Sequence, residues 1–396
     1  MRLFALLAVF ALLPSAPATA QDRVVINESV EAELQKGIIP VTVVADDPAF
    51  GALVNFALSA HGAISLRAGS SVKVVISRSG LAATVSCENA RFPFSTNVDG
   101  KDEDELALRA ADAAVVGLGR RWQLKPLYAG TKIAFTSKYS GHQEIYVTNL
   151  ARSRTLRLTN YRNTSVGPRW SADGTRVYFI SSVRTGFPEI LSTNGMGEPR
   201  KVITDVRGAL GSASPGPDGR IAFASSNKGS MDIFVAGPSG ESPRRIIATP
   251  DVDADPAWSP DGSRLALTSG PIGRPGIYLA SSAGGGVSRV GTGYGYSTEP
   301  RWNPVNPGQI VFTFQSGKLG LAVIDLGSNT VTAVPVTSAF DLSHASWCAD
   351  GRHVVATQAT KSNSWLAVVD TVTGKVTRLS SVQMGDCSEP DTWVRR

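Results

Sequence analysis

The stretch "DADPAWSPDGSRLALTS", residues 253–269, belongs to a pattern that returns about every 44 residues, and this recurrence constrains the fold more than any other feature. Related copies begin at Gly167 ("GPRWSADGTRVYFISS"), Ser212 ("SASPGPDGRIAFASS"), Glu299 ("EPRWNPVNPGQIVFTF") and Ser343 ("SHASWCADGRHVVATQ"). Trp170, Trp258, Trp302, Trp347 and Trp393 mark the period, and Pro215 takes the slot of the one missing tryptophan. Each copy continues through a glycine turn into an apolar-aromatic strand ("GHQEIYVTN", "GFPEILSTN", "GSMDIFVAG", "GRPGIYLAS"). A last strand follows, often ending in a basic residue with Thr or Ser ("TLRLTN", "RRIIAT", "KVTRLS"). Four short strands per repeat of this length describe a blade of a β-propeller. Runs of four to six β-branched and aromatic residues between Gly, Pro and Asp-Gly breaks exclude a helical repeat. The Asp-Gly pair is then a strand-connecting turn, and the tryptophans at Trp170, Trp258, Trp302 and Trp347 are packing between blades.

The edges of the repeat set the number of blades. "TKIAFTSKYSGHQEIYV", from Thr131, lacks a preceding Pro-x-Trp strand, and the final "SEPDTWVRR" is such a strand with nothing after it. Joining Glu389–Val394 to the sheet begun by Ile133–Ser137 closes a ring of six blades and leaves no open edge there. The propeller is thus expected over 128–396, closed by the strand 389–394. Residues 21–127 carry no repeat and read as a small α+β domain. In it "GIIPVTVVADD" is a buried strand, "FGALVNFALSAHG" a helix ended by Gly62, and "SSVKVVISRSGLAATVSCEN" a hairpin. "DEDELALRAADAAVVGLGRRW", with acids in its first turn and Gly and Arg at its end, is a second helix.

Residues 1–20 read as a secretory signal. Arg2 supplies the charge, Phe4–Leu13 the apolar run, and Ala18-Thr19-Ala20 the small residues before a cut after Ala20. The expected product is an exported, soluble, monomeric periplasmic protein. Cys87, Cys348 and Cys387 form no CxxC and imply no disulfide framework, although one bridge stays open. From Ala129 onward there are 27 basic and 20 acidic residues, which suits an acidic partner surface or envelope polymer. The basic residues are scattered rather than clustered, and with export this argues against nucleic acid.

The α+β domain, the helix leading into "TKIAFTS", and blades reading Pro-x-Trp-Ser-Pro-Asp-Gly together resemble the TolB family, periplasmic components of the Tol-Pal system. The likeness is strongest from Thr131 to Thr268 and in "GRPGIY" at Gly273–Tyr278, and weak before Asp102. It implies a non-enzymatic, cofactor-free scaffold that serves outer-membrane integrity and constriction during cell division. Its implied partners are a Pal-like lipoprotein at the channel mouth, a TolA-like C-terminal domain at the N-terminal segment, and other outer-membrane proteins. Carried onto this chain, the TolA-facing segment is Asp22, Arg23, Val24, Val25, Ile26 and Asn27, within "DRVVINESV". The Pal-facing residues are Arg207, Asp253, Asp255, Thr298, Glu299, His344 and Glu389. The chain departs from the family in "DVRGALGS", where Arg207 stands without the His of the family's Arg-His-Asn run.

Other chemistries fare less well against the residues. Asp251, Asp253 and Asp255 resemble the start of a calcium loop, but Pro256 and Gly262 stand where it needs Gly and an acid. His61, His142, His344 and His353 show no metal-ligand spacing. No Gly-x-Ser-x-Gly elbow occurs, and no length is left for an α/β hydrolase domain. Two alternatives stay open: a propeller that binds carbohydrate or peptidoglycan, and a propeller lyase or hydrolase with its active site in the channel.

Overall fold

A computed structural model describes residues 37–88, 91–151, 154–227 and 229–394. The signal-like segment and the TolA-facing residues Asp22–Asn27 lie outside these. Among the described residues no helix is long and apolar enough to cross a membrane.

The N-terminal part is a five-stranded sheet with two helices. Its strands are β1 (Ile39–Ala45), β2 (Ile64–Leu66), β3 (Lys73–Ser79), β4 (Ala82–Cys87) and β5 (Phe94–Asp99), in the order β2-β1-β3-β4-β5. β1 runs parallel to β2 and β3, and the rest pair antiparallel. Helix α1 (Pro48–Ala60) starts where Asp47 accepts the Ala49 and Phe50 amides at 3.0 and 3.1 Å, with Pro48 pre-set at its first position. Helix α2 (Glu103–Leu118) starts where Asp102 accepts the Glu105 amide at 2.8 Å, and three acids occupy its first turn. α1 therefore stops one residue before Gly62, at His61, whose ring has a further task described below. β2 and β5 were not anticipated. β2 is only three residues long, and β5, "FSTNVD", is a polar edge strand with little apolar signal.

Six four-stranded antiparallel sheets follow, arranged in a ring. Blade 1 combines the C-terminal strand Cys387–Val394 with Thr131–Ser137 and the two strands after it, so the two ends of the propeller share one sheet. The inner strands of blades 2 to 6 are Ser165–Trp170, Leu210–Pro215, Ala254–Trp258, Ser297–Trp302 and Asp341–Trp347. Pro215 pairs with Ile221 as Trp258 pairs with Leu265, which places it in the tryptophan slot.

The five tryptophans do not all do the same thing. Trp258, Trp302 and Trp347 each donate their indole N–H to a carbonyl of the preceding blade, on Ser214, Ala257 and Arg301, at 2.8 to 3.1 Å. Trp393 is one residue out of step. Thr392 pairs with Ile133 in the slot that tryptophan fills elsewhere, so Trp393 turns to blade 2, donates to Ala172 O at 3.1 Å and lies against Gly174. A β-carbon on Gly174 would come within 2.3 Å of that ring, and its φ of +66° also favours glycine.

The Asp-Gly turns close as read from the sequence. In blade 4, Gly262 (φ +71°) donates to Ser259 O, and Asp261 accepts from Ser259 Oγ and from Ser263 N and Oγ. These bonds pull the Asp261 carboxyl down to about 2. A second repeated contact joins the third and fourth strands. Buried Glu144, Glu189 and Asp232 in blades 1 to 3 pair with Arg157, Lys201 and Arg245. In these three blades a basic residue of the last strand is therefore the partner of a buried acid. No disulfide joins Cys87, Cys348 and Cys387, and all three are buried.

The domains share one core. Residues of α1 and α2 such as Leu58 and Val115 pack in the same cluster as Phe135, Val355 and Leu366 of blades 1 and 6. The passage between them is pinned by Asp112 of α2, whose carboxylate accepts the amides of Leu127, Tyr128 and Ala129 at 2.6 to 2.9 Å. Burial lifts the Asp112 carboxyl to about 6 against the pull of those three donors.

Candidate functional site

Each inner strand is broken by a β-bulge at the same level, and the residues there ring the channel: Gly167, Ser212, Asp255, Glu299, His344 and Glu389. All six have left-handed backbone, with φ from +49° to +61°. That conformation costs a residue with a β-carbon roughly 1–2 kcal/mol, so five of the six positions are strained. Hydrogen bonds across the blade boundaries offset the strain. Glu389 accepts from Thr136 Oγ1 in its own blade at 3.0 Å and from the Gly167 amide of blade 2 at 2.9 Å. Glu299 repeats the arrangement, accepting from Thr313 Oγ1 and from the His344 amide of blade 6, both at 2.7 Å. Ser212 donates to Asp255 across the boundary between blades 3 and 4 at 3.0 Å. Thr268 and Thr357 accept the amides of Glu299 and Glu389 in turn.

The ring is acidic on one side. Asp255, Glu299 and Glu389 bring three carboxylates to blades 4, 5 and 1. Among the described residues their only ion-pair partner is His344, whose Nε2 is 3.0 Å from Glu299 Oε1. His344 Nδ1 is also bonded to Ser343 Oγ at 3.0 Å. All four side chains remain half-exposed. The arrangement offers carboxylate acceptors and one titratable imidazole on a rigid frame, suited to hydrogen-bonding a polar or basic partner.

Of the seven channel-mouth residues expected from sequence, Asp255, Glu299, His344 and Glu389 belong to this ring and three do not. Asp253 is fully buried and holds Thr249, accepting from its amide at 2.9 Å and its hydroxyl at 2.8 Å. Thr298 is buried beside the bulge, pairing with Thr313. Arg207 is exposed on the loop before blade 3, five residues short of the ring, and Ser212 stands in the ring for that blade. Ser212 and Gly167 went unnoticed because neither type signals chemistry. Their offset before the Trp slot would have found them.

A second polar cluster joins the domains, and no spacing in the sequence announces it. His61, at the end of α1, and His353 of blade 6 lie with ring centroids 4.5 Å apart, both buried. His353 occupies the blade position that is Lys132, Arg176, Arg220, Arg264 or Gln309 elsewhere. The Asp-Gly turn acid of its own blade, Asp350, binds its Nδ1 at 2.5 Å, and Asp370 stands 3.2 Å from its Nε2. Arg352 pairs with Asp370 at 2.8 Å, and Lys375 donates to the carbonyls of His61 and Ile64. Burial alone would lower the His353 pKa, but Asp350 and Asp370 together raise it to about 9. Burial and the charge of His353 hold His61 well below its ordinary value, hence neutral, and its Nδ1 accepts the Ala63 amide at 3.1 Å. His353 Nε2 also faces the Gly62 amide at 3.1 Å, which it can accept only when neutral. With two carboxylates in reach, the charged ring is the state we assign. Ligand atoms of His61, Asp350 and His353 lie within 4.8 Å of one another, a spacing open to a metal. The bonds to Asp350, Asp370 and Ala63 already account for these groups as a clamp between domains.

Fold and ring together define a class: a six-bladed β-propeller with a strained, acid-bearing ring of bulge residues on its inner strands, clamped to a small α+β domain. Residues 193–395, just over half the chain, match the family model described as the TolB beta propeller domain. The chain belongs to the TolB β-propeller family. It is 34% identical over 136 residues to a protein TolB homolog of Chlorobium luteolum, covering 34% of this chain and 30% of that protein. It is 30% identical over 162 residues to the Tol-Pal system protein TolB of Anaeromyxobacter dehalogenans, covering 41% of this chain and 36% of that one. The aligned part thus spans about a third of these relatives' own length. The crystal structure of TolB from Acinetobacter baumannii superposes with a TM-score of 0.73 over 90% of this chain and 96% of that one, at 17% identity.

Proposed function

We propose that this chain is an exported, non-enzymatic scaffold of a Tol-Pal system, acting in the periplasm for outer-membrane integrity and constriction during cell division. Its channel mouth binds a Pal-like lipoprotein, and the segment Asp22–Asn27 engages a TolA-like domain. One observation carries the reading: the bulge ring holds five non-glycine residues in a strained conformation at the channel mouth, three of them half-exposed acids without a lysine or arginine partner. Strain kept at one equivalent position around a ring is the mark of a surface shaped for a partner. The likeness to Tol-Pal system proteins supports the system in which that partner belongs.

The test is binding of the mature protein to the soluble domain of a Pal-like lipoprotein from the same genome. Asp255→Asn and Glu299→Gln keep size and most hydrogen bonds while removing charge. Together they should weaken the complex at least tenfold with melting behaviour preserved. Binding that is absent in the wild type, or unchanged in the double variant, sinks the assignment of the mouth. Deleting residues 22–27 should abolish capture of a TolA-like domain and leave Pal binding intact.

A further inference from the structure

Two residues beyond the bulge ring, along the same inner strands, the chemistry is opposite. There the residues just before the Trp slot of each blade surround a cavity of 170 Å³, with Arg169 and Arg301 on its wall. They come from blades 2 and 5, three apart in a ring of six, and so face each other across the axis. Strand register places both at one level, since Arg169 pairs with Tyr178 as Arg301 pairs with Val311. Asp391 holds the same level in blade 1, through its pairing with Ala134.

The donors in this cavity are under-used. Arg301 spends one N–H on Pro300 O at 3.0 Å, and among the described residues no carboxylate lies within ion-pair distance of it. Arg169 likewise bonds Pro168 O at 2.7 Å and has Asp391 Oδ1 only at 4.0 Å. The Trp170 indole N–H is buried without an acceptor, whereas Trp258, Trp302 and Trp347 all have one. The reason is local. The one-residue shift at Trp393 changes the boundary between blades 1 and 2, and Asp391 spends its carboxylate on the Trp170 amide at 2.9 Å. Asp391 balances one arginine and leaves the other.

We propose that this cavity binds a small oxyanion, a carboxylate or a phosphate, between Arg169 and Arg301. A planar guanidinium with most of its N–H groups free presents a fork that matches two oxygens of either group. Leaving such a donor half-buried and unpaired is costly, and a bound oxyanion removes that cost. This site is independent of the partner assigned to the bulge ring.

Isothermal titration of the mature full-length protein with inorganic phosphate, and separately with acetate, tests it. One-site saturable binding of at least one probe is expected, and the probe that binds identifies the source of the oxyanion. Arg301→Gln should weaken that binding at least tenfold, while Arg184→Gln, on an exposed loop outside the cavity, changes it less than twofold. Should Arg301→Gln melt abnormally without ligand, Arg301→Lys keeps the charge, loses the fork, and should still weaken binding severalfold. Failure of both probes to saturate, or equal affinity in the wild type and both Arg301 variants, overturns the site.

Discussion

At the scale of single residues, the repeat sets a slot and the neighbouring blade decides what the slot does. Trp258 and Trp170 look alike in sequence, yet only Trp258 has an acceptor for its indole N–H. Trp258→Phe leaves the Ser214 carbonyl without its donor, while Trp170→Phe removes an unpaired one. The first should therefore cost about 1 kcal/mol more than the second, the net worth of a typical hydrogen bond. Urea denaturation midpoints at equal m-values would show this, and equal losses would contradict the assigned bonds. Glu299→Ala removes acceptors for Thr313, the His344 amide and the His344 ring, and should destabilise by about 2–3 kcal/mol in the same assay. The ring residues were readable as polar positions just before the Trp slot. Their left-handed backbone was not, because a bulge is set by pairing between strands rather than by residue type.

At the scale of elements, buried charge joins strand to strand and domain to domain. Glu144 in blade 1 accepts from Arg157, Thr159 and the amides of Tyr161 and Arg162, and is fully buried. Glu144→Ala strands those donors and should lower stability by roughly 3–5 kcal/mol, as breaking a buried pair does. The His353 clamp has a pH signature. Its folded pKa, about 9, lies above the ordinary 6.5, so its stabilisation is whole below about pH 6.5 and is lost as pH rises toward 9. Asp370 is depressed by the same partners once its burial is overcome, so its share is whole above pH 3.8 and is lost only in strong acid. Around them His61 stays neutral, and Asp350, Arg352 and Lys375 complete the charged groups facing the ring. Melting curves from pH 6.5 to 9 should fall more steeply for wild type than for His353→Gln, by an amount worth ~1–3 kcal/mol. Parallel curves would assign the pH dependence elsewhere. The caps of α1 and α2 were legible, because an Asp ahead of an apolar period is a local signal. The clamp was not, because its two histidines are brought together only by the docking of α1 on blade 6.

At the scale of the whole molecule, closure is the step on which everything else depends. The C-terminal strand gives blade 1 its inner edge and carries Glu389 to the bulge ring and Asp391 to the arginine level. A chain ending at residue 386 lacks that strand and exposes the edge of Thr131–Ser137 and the flank of blade 2. It should lose the single cooperative melting transition and aggregate. A truncated protein melting within about 2 °C of full length would show that the ring does not need its clasp. Along the inner strands the charge changes sign within two residues, with acids at the bulge ring and two arginines beyond. Only a ring brings residues as distant in sequence as Arg169 and Arg301 into one cavity.

The blade count, the closing strand, the Asp-Gly turns and the helix caps follow from sequence alone, because period, turn chemistry and capping are local and repeat. The burial of Asp253, the slip at Trp393, the pairing of His61 with His353 and the facing arginines were settled only by tertiary structure. Each depends on what a neighbouring blade or domain places opposite a residue, and one chain's order of amino acids does not carry that distance. A repeat announces the ring, and packing around it decides which of its repeated positions are spent on the fold and which are left for a ligand.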